Sequence, residues 1–340
     1  MGTISYLIGS IDGSEGIMYD IQIKKAVEEF LENERLTRSE NTEKTYRNAM
    51  NAFMEMLEEN GISSTDMISV LKEDHIAKFA RYLKLYSPAT ESLYINVAKN
   101  FYEFLIAENW MDFNIYQTKL LIRNRTRKPG IRLPQFPKEE ILKVLEYAEK
   151  LPSLPCETER DRLVNLRDGA FLITLADTGL RVHEACALRA GNVNWYDKRA
   201  EVIGKGNKQA VVRFSDRSIA AIRNYMNERA VIDGSTGRML ATLPIFSRHD
   251  KGAGKEVLPI STKTGRDIVN TRVRECLGDY AVGTITPHSF RHYFVTNVLN
   301  KTGNLKIAQE FARHSTVNVT QRYAHLTDRE LDDTYDDIFN

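Results

Sequence analysis

Residues 287–292 read Pro287-His288-Ser289-Phe290-Arg291-His292, followed by Arg313-His314 and by Tyr323 within Gln321-Arg322-Tyr323-Ala324-His325. A further arginine stands far upstream, in Asp177-Thr178-Gly179-Leu180-Arg181. Guanidinium forks bind non-bridging phosphate oxygens, imidazole moves a proton, and a phenol attacks phosphorus. The combination suits chemistry at a phosphodiester. Pro287 opens a helix, so His288 and Arg291, three residues apart, project from one side of it. The first amides of that helix favour a nearby phosphate.

Each motif taken alone has a plainer reading. A lone HxxRH is most often a solvated basic face. His288 and His292 have the spacing of a zinc pair, but the glutamate of HExxH is missing and Arg291 stands between them, which disfavours a metal. Lys205 in Gly204-Lys205-Gly206 sits at a hairpin tip whose glycines let backbone approach a ligand closely; by itself it is a solvated turn lysine. No Walker A motif is present. Tyr323 follows a polar run rather than an apolar stripe, which argues against a place in the core. With an ordinary pKa of about 10, its hydroxyl needs cations or a base beside it before it can attack.

Outward from this cluster, helical periodicity dominates. Ile23, Val27, Phe30 and Leu31 share one face, as do Tyr46, Met50, Phe53, Met54 and Leu57. Ile76, Phe79, Ala80 and Leu83 form a third face, and Leu93, Val97, Phe101, Phe104 and Leu105 a fourth. Ser87-Pro88 supplies a cap and a first-turn proline for the last of these. The pattern predicts a helical bundle over 17–118, behind a flexible, Gly/Ser-rich 1–16. The stretch 119–137 reads as a basic linker, extended from Arg123 onward where three prolines and a glycine break the pattern.

A second unit over 138–326 opens with the helix face Ile141, Leu142, Leu145 and Ala148. A buried helix over about 163–176 stops at Gly179. The clearest β signal follows, strands 200–203 and 210–214 around the turn 204–208. Helices are expected over 219–230, 289–299 and 305–312, with a glycine-rich surface excursion over 233–254. The fold class is therefore mainly α with a small β-hairpin: a helical bundle, then a mixed α+β domain.

At 340 residues the chain is long enough for two domains, and 47 Lys and Arg nearly balance 46 Asp and Glu. The balance hides segregation. Lys119, Arg123, Arg125, Arg127, Lys128 and Arg132 occur with no acid among them, while 327–340 carries Asp328, Glu330, Asp332, Asp333, Asp336 and Asp337 against Arg329 alone. Cys156, Cys186 and Cys276 are odd in number and far apart, which argues against a disulfide framework or zinc site and fits a reducing cytoplasm. Neither a membrane span nor a secretion signal is visible.

In this order and with these gaps, the motifs resemble the tyrosine recombinase (phage integrase) family, in particular its compact Xer-like members, over about Lys138 to His325. The resemblance rests on Arg181 in TGLRxxE, Lys205 in the GKGxK hairpin, His288 and Arg291 in HxxRH, then His314 and Tyr323. It implies that Arg181 and Arg291 hold the scissile phosphate and that Tyr323 attacks to form a 3′-phosphotyrosyl link. Lys205 would protonate the leaving 5′-oxygen, His288 would act as general base, and His314 would hydrogen-bond a non-bridging oxygen. Glu184, one turn after Arg181, would support the site; its plainer reading is a surface ion pair. No cofactor or metal is implied, because cationic side chains stabilise the charge.

The helical unit would be the family's core-binding domain, closing with the catalytic unit as a C-shaped clamp on duplex DNA, with the basic linker across the phosphates. With so little chain before it, an extra arm-binding domain is not expected. The implied partners are DNA carrying a specific recombination site and other protomers in a tetramer. Leu331, Ile338 and Phe339 of the acidic tail are candidates for docking on a neighbour. Two departures stand out. Tyr293 replaces a small hydroxyl residue, and Arg313 replaces a small residue, so its side chain is expected to point to solvent or DNA. The alternatives are a type IB topoisomerase with the same chemistry and a catalytically silent DNA-binding regulator.

Overall fold

The computed structural model describes residues 21–38, 40–127, 137–204, 209–250, 252 and 256–313. The expected flexible start, Lys128, Arg132, Lys205, His314, Tyr323 and the acidic tail lie outside the described residues. The chain divides into two compact units, Met1–Arg132 and Leu133–Asn340.

The first unit holds helices α1 (Ile23–Thr37), α2 (Glu40–Glu59), α3 (Glu73–Tyr82), α4 (Pro88–Ala107) and α5 (Ile115–Arg125). Helical spacing puts Phe30, Phe53, Phe79 and Phe101 in one buried cluster. Phe53 meets Phe79 edge-on at 5.2 Å and Phe30 meets Phe101 at 5.5 Å, the arrangement aromatic quadrupoles favour. Each such ring contributes about 1.5–3 kcal/mol by leaving water. As expected, α4 starts at Ser87, whose Oγ accepts the Thr90 amide at 3.1 Å, with Pro88 in the first turn. One apolar residue departs from the expected face: Leu93 is 45% exposed, because α4 turns Ile95, Ala98 and Tyr102 inward.

The expected linker is corrected in part. Asn114 caps α5 through the Gln117 amide at 3.0 Å, and the helix carries Lys119, Arg123 and Arg125 instead of ending before them. Arginine and lysine are good helix formers, and the prolines that break the pattern come only from Pro129 onward. Thr118 packs inward while Lys119, Arg123 and Arg125 face water. Arg127 turns back instead. Its backbone amide donates to Oε1 of Glu91 at 2.8 Å and its Nε to Oε2, while Lys84 Nζ reaches Oε1 at 2.6 Å. The Glu91 side chain is wholly buried, so these cations compensate a charge removed from water.

The second unit is built around α7 (Glu159–Thr178), which follows α6 (Lys138–Lys150) and is buried on nearly every side. Leu142 on α6 is exposed, against expectation. After α7 come the short α8 (Val182–Cys186) and an antiparallel sheet of β1 (Val193–Asn194), β2 (Arg199–Ile203) and β3 (Gln209–Arg213) in that order. In the β2–β3 pair, Val202 stands opposite Ala210 and Ala200 opposite Val212. The two-residue β1 is too short to carry a sequence signal.

Helices α9 (Asp216–Ser235), α10 (Thr262–Leu277), α11 (Pro287–Thr302) and α12 (Leu305–Ala312) complete the described part. Ion pairs tie α10 and α9 to α7: Asp168, which also accepts Arg167 of its own helix at 2.7 Å, accepts Arg272 of α10 at 2.8 Å. Asp177, at the end of α7, accepts Arg217 Nη2 at 2.6 Å and the Ser215 hydroxyl at the start of α9.

The expected surface excursion over 233–254 is wrong for its middle. Helix α9 continues to Ser235, and Leu243, Ile245 and Phe246 are fully buried, Phe246 edge-on against Phe171 at 5.1 Å. The fully buried Arg229 guanidinium explains this. It donates to the carbonyls of Pro244 (2.9 Å) and Ile245 (2.8 Å), to Ser247 Oγ (2.8 Å) and to Asp233, fastening the segment to α9.

Candidate active site

Helix α7 ends where Gly179 adopts a left-handed conformation, φ 60°, a turn that favours glycine. A β-carbon there would lie within 2.9 Å of Phe294 Cε1 on α11. Leu180 is buried behind the turn, and Arg181 follows at the mouth of α8 with its side chain 35% exposed. Glu184 reaches back: Oε2 accepts the Arg181 backbone amide at 2.8 Å and Oε1 accepts Arg181 Nη1 at 3.0 Å. The Glu184 side chain is wholly buried, so this is an interior support for Arg181 and not a surface ion pair. Burial alone would push the Glu184 carboxyl up; the charges of Arg313 and Arg181 and the Arg181 amide outweigh it and hold it below the ordinary value.

On α11, Pro287 occupies the first turn and Ser289 Oγ accepts the Thr286 amide at 3.1 Å, closing the helix start. His288 and Arg291 then stand on one side, as the spacing predicts. Arg291 is almost entirely buried; its Nη1 donates to the carbonyl of Gly179 and its Nη2 to the carbonyl of Ala312. His288 keeps access to solvent. The protein mass around its ring, then the charges of Arg291 and Arg181, hold its pKa below the ordinary imidazole value. The shift favours the neutral imidazole, the form able to take a proton. Arg181, Glu184, His288 and Arg291, from two distant stretches of sequence, are brought together. The positions of Lys205, His314 and Tyr323 fall outside the described residues.

Two neighbours were not assigned a role by the motifs. His292 stacks edge-on against His288, ring centroids 4.3 Å apart, and burial, first, pushes its pKa down to about 4. Arg313 is the larger surprise. Its side chain turns inward, against the expectation of solvent or DNA, and its Nη2 lies 3.0 Å from Oε2 of Glu184. Only the substitution of a small residue signalled that position, and spacing alone gives no direction for the side chain.

Comparison with known proteins places the chain in a family. The family model "Phage integrase family" matches residues 135–330, and "Phage integrase, N-terminal SAM-like domain" matches 27–109. The tyrosine recombinase XerC of Halalkalibacterium halodurans is 27% identical over 285 residues, covering 83% of this chain and 86% of that one. Among solved structures, the XerH site-specific recombinase bound to a palindromic difH substrate, a post-cleavage complex, aligns with a TM-score of 0.67 at 19% identity, covering 92% of this chain and 84% of that one. A lambda integrase tetramer bound to a Holliday junction aligns with a TM-score of 0.59 at 16% identity, covering 91% and 80%. The matches to both family models and to the XerC relative define a tyrosine recombinase, an enzyme of site-specific recombination. The chain belongs to the phage integrase family.

Proposed function

We propose that the chain cleaves and rejoins DNA at a specific duplex site through a 3′-phosphotyrosyl intermediate, with Arg181 and Arg291 binding the scissile phosphate. The observation that carries this reading is the convergence of three side chains: Arg181, held by the buried Glu184; Arg291, bound to the Gly179 carbonyl two residues before Arg181; and His288 beside both charges. The Tyr323 hydroxyl oxygen bonds to phosphorus as its proton passes to His288. The bond from phosphorus to the 5′-oxygen breaks, and Lys205 supplies the proton that oxygen takes up. His314 donates to a non-bridging oxygen. Attack by the 5′-hydroxyl of another strand on the phosphotyrosine reverses the step and releases Tyr323. The phosphodiester energy is kept throughout.

Lys119, Arg123 and Arg125, exposed on α5, are the residues we assign to the DNA backbone, with Lys128 and Arg132 after them. Arg127 is set aside because Glu91 already holds it. Strand exchange between two sites requires four active tyrosines, so the working form is a tetramer on DNA, as in the lambda integrase complex. Three cysteines without a disulfide suit the reducing cytoplasm, where we place the enzyme. Among the described residues no helix is long and apolar enough to cross a membrane.

A suicide substrate that traps covalent protein–DNA adduct tests the nucleophile. Tyr323→Phe removes one hydroxyl, so adduct should vanish while one-site DNA affinity stays. Adduct persisting through another tyrosine overturns the assignment.

A further inference from the structure

Arg313 ends α12 in the left-handed region, φ 56° and ψ 44°, where glycine or asparagine sits at lower cost. Its side chain is only 11% exposed. Nη2 reaches Glu184 Oε2 at 3.0 Å and the Gly179 carbonyl at 3.4 Å, while Nε and Nη1 are buried with no partner among the described residues. A desolvated cation on a strained backbone, with donors unpaired, is an expensive way to fill space. A glycine would close the helix without the strain or the buried cation.

What the cation does is divide a carboxylate. Glu184 is the wholly buried acceptor of both Arg181 and Arg313: Oε2 takes the Arg181 amide and Arg313 Nη2, and Oε1 takes Arg181 Nη1. Arg313 also shares the Gly179 carbonyl with Arg291, whose other Nη atom holds the carbonyl of Ala312, the residue next to Arg313. We infer that Arg313 is a positioning residue for strand cleavage: it anchors Oε2 of Glu184, so that Oε1 aims Arg181 at the scissile phosphate, and it ties the origin of the segment bearing Tyr323 to the same carboxylate. The inference rests on the reading of Arg181 as a phosphate-binding residue.

The experiment uses the full chain with Arg313→Gly, Arg313→Lys, Glu184→Gln, the double variant Glu184→Gln/Arg313→Gly, and Arg181→Ala. Covalent adduct formation, one-site DNA affinity and the thermal midpoint are measured for each. Glycine relaxes the backbone, so Arg313→Gly should keep its midpoint and affinity and lose cleavage by roughly tenfold to a hundredfold, the cost of a slackened support. Arg313→Lys, which keeps a cation within reach of Oε2 on the same strained backbone, should recover much of the rate. In the Glu184→Gln background, Arg313→Gly should add little further loss, because both act through one carboxylate.

The pH profile supplies a readout that filling space does not move. Of the charges that lower the Glu184 pKa, Arg313 is the largest. Removing it lets that carboxyl protonate at higher pH, so the acid limb of the cleavage profile should move upward in Arg313→Gly and stay in Arg313→Lys. Wild-type cleavage by Arg313→Gly, a loss matched by a fallen midpoint, or independent multiplication of the two losses would each overturn the inference. Undiminished cleavage by Arg181→Ala would instead remove the reading it rests on, and the inference with it.

Discussion

Replacing Gly179 by alanine should injure both the stability of the catalytic unit and its chemistry, and the structure separates the two contributions. Gly179 has φ 60°, and an L-residue held in the left-handed region costs about 1–2 kcal/mol. The new β-carbon would also press on the Phe294 ring, within 2.9 Å of Cε1 and 3.0 Å of Cγ. The ring must move, and overpacking of this kind costs about 1–3 kcal/mol. The sum is about 2–5 kcal/mol, which for a unit spanning 133–340 lowers the thermal midpoint by roughly 4–20 °C. Gly303 provides the internal control: it has φ 59° at the end of α11, but nothing lies within 4 Å of its added β-carbon. Gly303→Ala should therefore cost only the backbone term of about 1–2 kcal/mol, and the difference between the two variants measures the Phe294 clash. Cleavage should also fall in Gly179→Ala at temperatures where it remains folded, since the Gly179 carbonyl receives Arg291 and Arg313. Circular dichroism melts and the suicide-substrate assay read the two effects. Equal midpoints for the two alanine variants would refute the close-approach reasoning, and unchanged cleavage would refute the coupling to the guanidiniums.

The remaining predictions concern the basic residues. Arg127→Ala should destabilise the helical unit by on the order of 2–3 kcal/mol, less than a fully buried pair because Lys84 still compensates Glu91 and Arg127 is 38% exposed; urea unfolding checks this. Arg123→Ala should leave unfolding unchanged and reduce the slope of log affinity against log salt by about 1, and a reversed assignment of the two effects would show that Arg127 is the phosphate contact. Lys205→Ala should be slow on ordinary DNA and largely restored on a substrate with a 5′-bridging phosphorothioate, whose leaving group needs little protonation. Equal impairment on both substrates would mean that Lys205 only holds the DNA in place.

Elements with a strong local signature were legible from the chain alone. Ser87-Pro88 declares a helix start, Gly179 a stop, and the glycine-flanked 204–208 turn declares the hairpin between β2 and β3. The motif set led to Arg181, His288 and Arg291, and the fold brings these three side chains together. What escaped were features decided by tertiary contact. Polar and glycine-rich composition made 233–254 look like surface, whereas one arginine four residues before Asp233 supplies enough donors to bury Pro244–Ser247. Prolines at 129 and beyond cast α5 as linker, although Asn114 caps it and Thr118 packs inward. For Arg313 the residue type argued for water, and only the geometry of Glu184 shows why it turns in.

These contacts also explain why chemistry at the site should feel the state of the backbone around it. Helix α7 is the most deeply buried element of its unit, pinned by the Asp168 ion pairs, and its last turn delivers the Gly179 carbonyl. That single oxygen receives Arg291 from α11 and Arg313 from the end of α12. Arg291, in turn, grips the Ala312 carbonyl, so the group assigned to the phosphate also holds the point from which the chain runs on toward Tyr323. A phosphate oxygen arriving at Arg291 must therefore share its guanidinium with two carbonyls whose positions fix the turn before Arg181 and the exit from α12. On the proposed reading, binding the phosphate and placing the nucleophile are coupled through one side chain. A change at Gly179, Arg291 or Arg313 should for that reason alter cleavage more than it alters affinity for DNA, which the proposed reading assigns chiefly to the cations of α5.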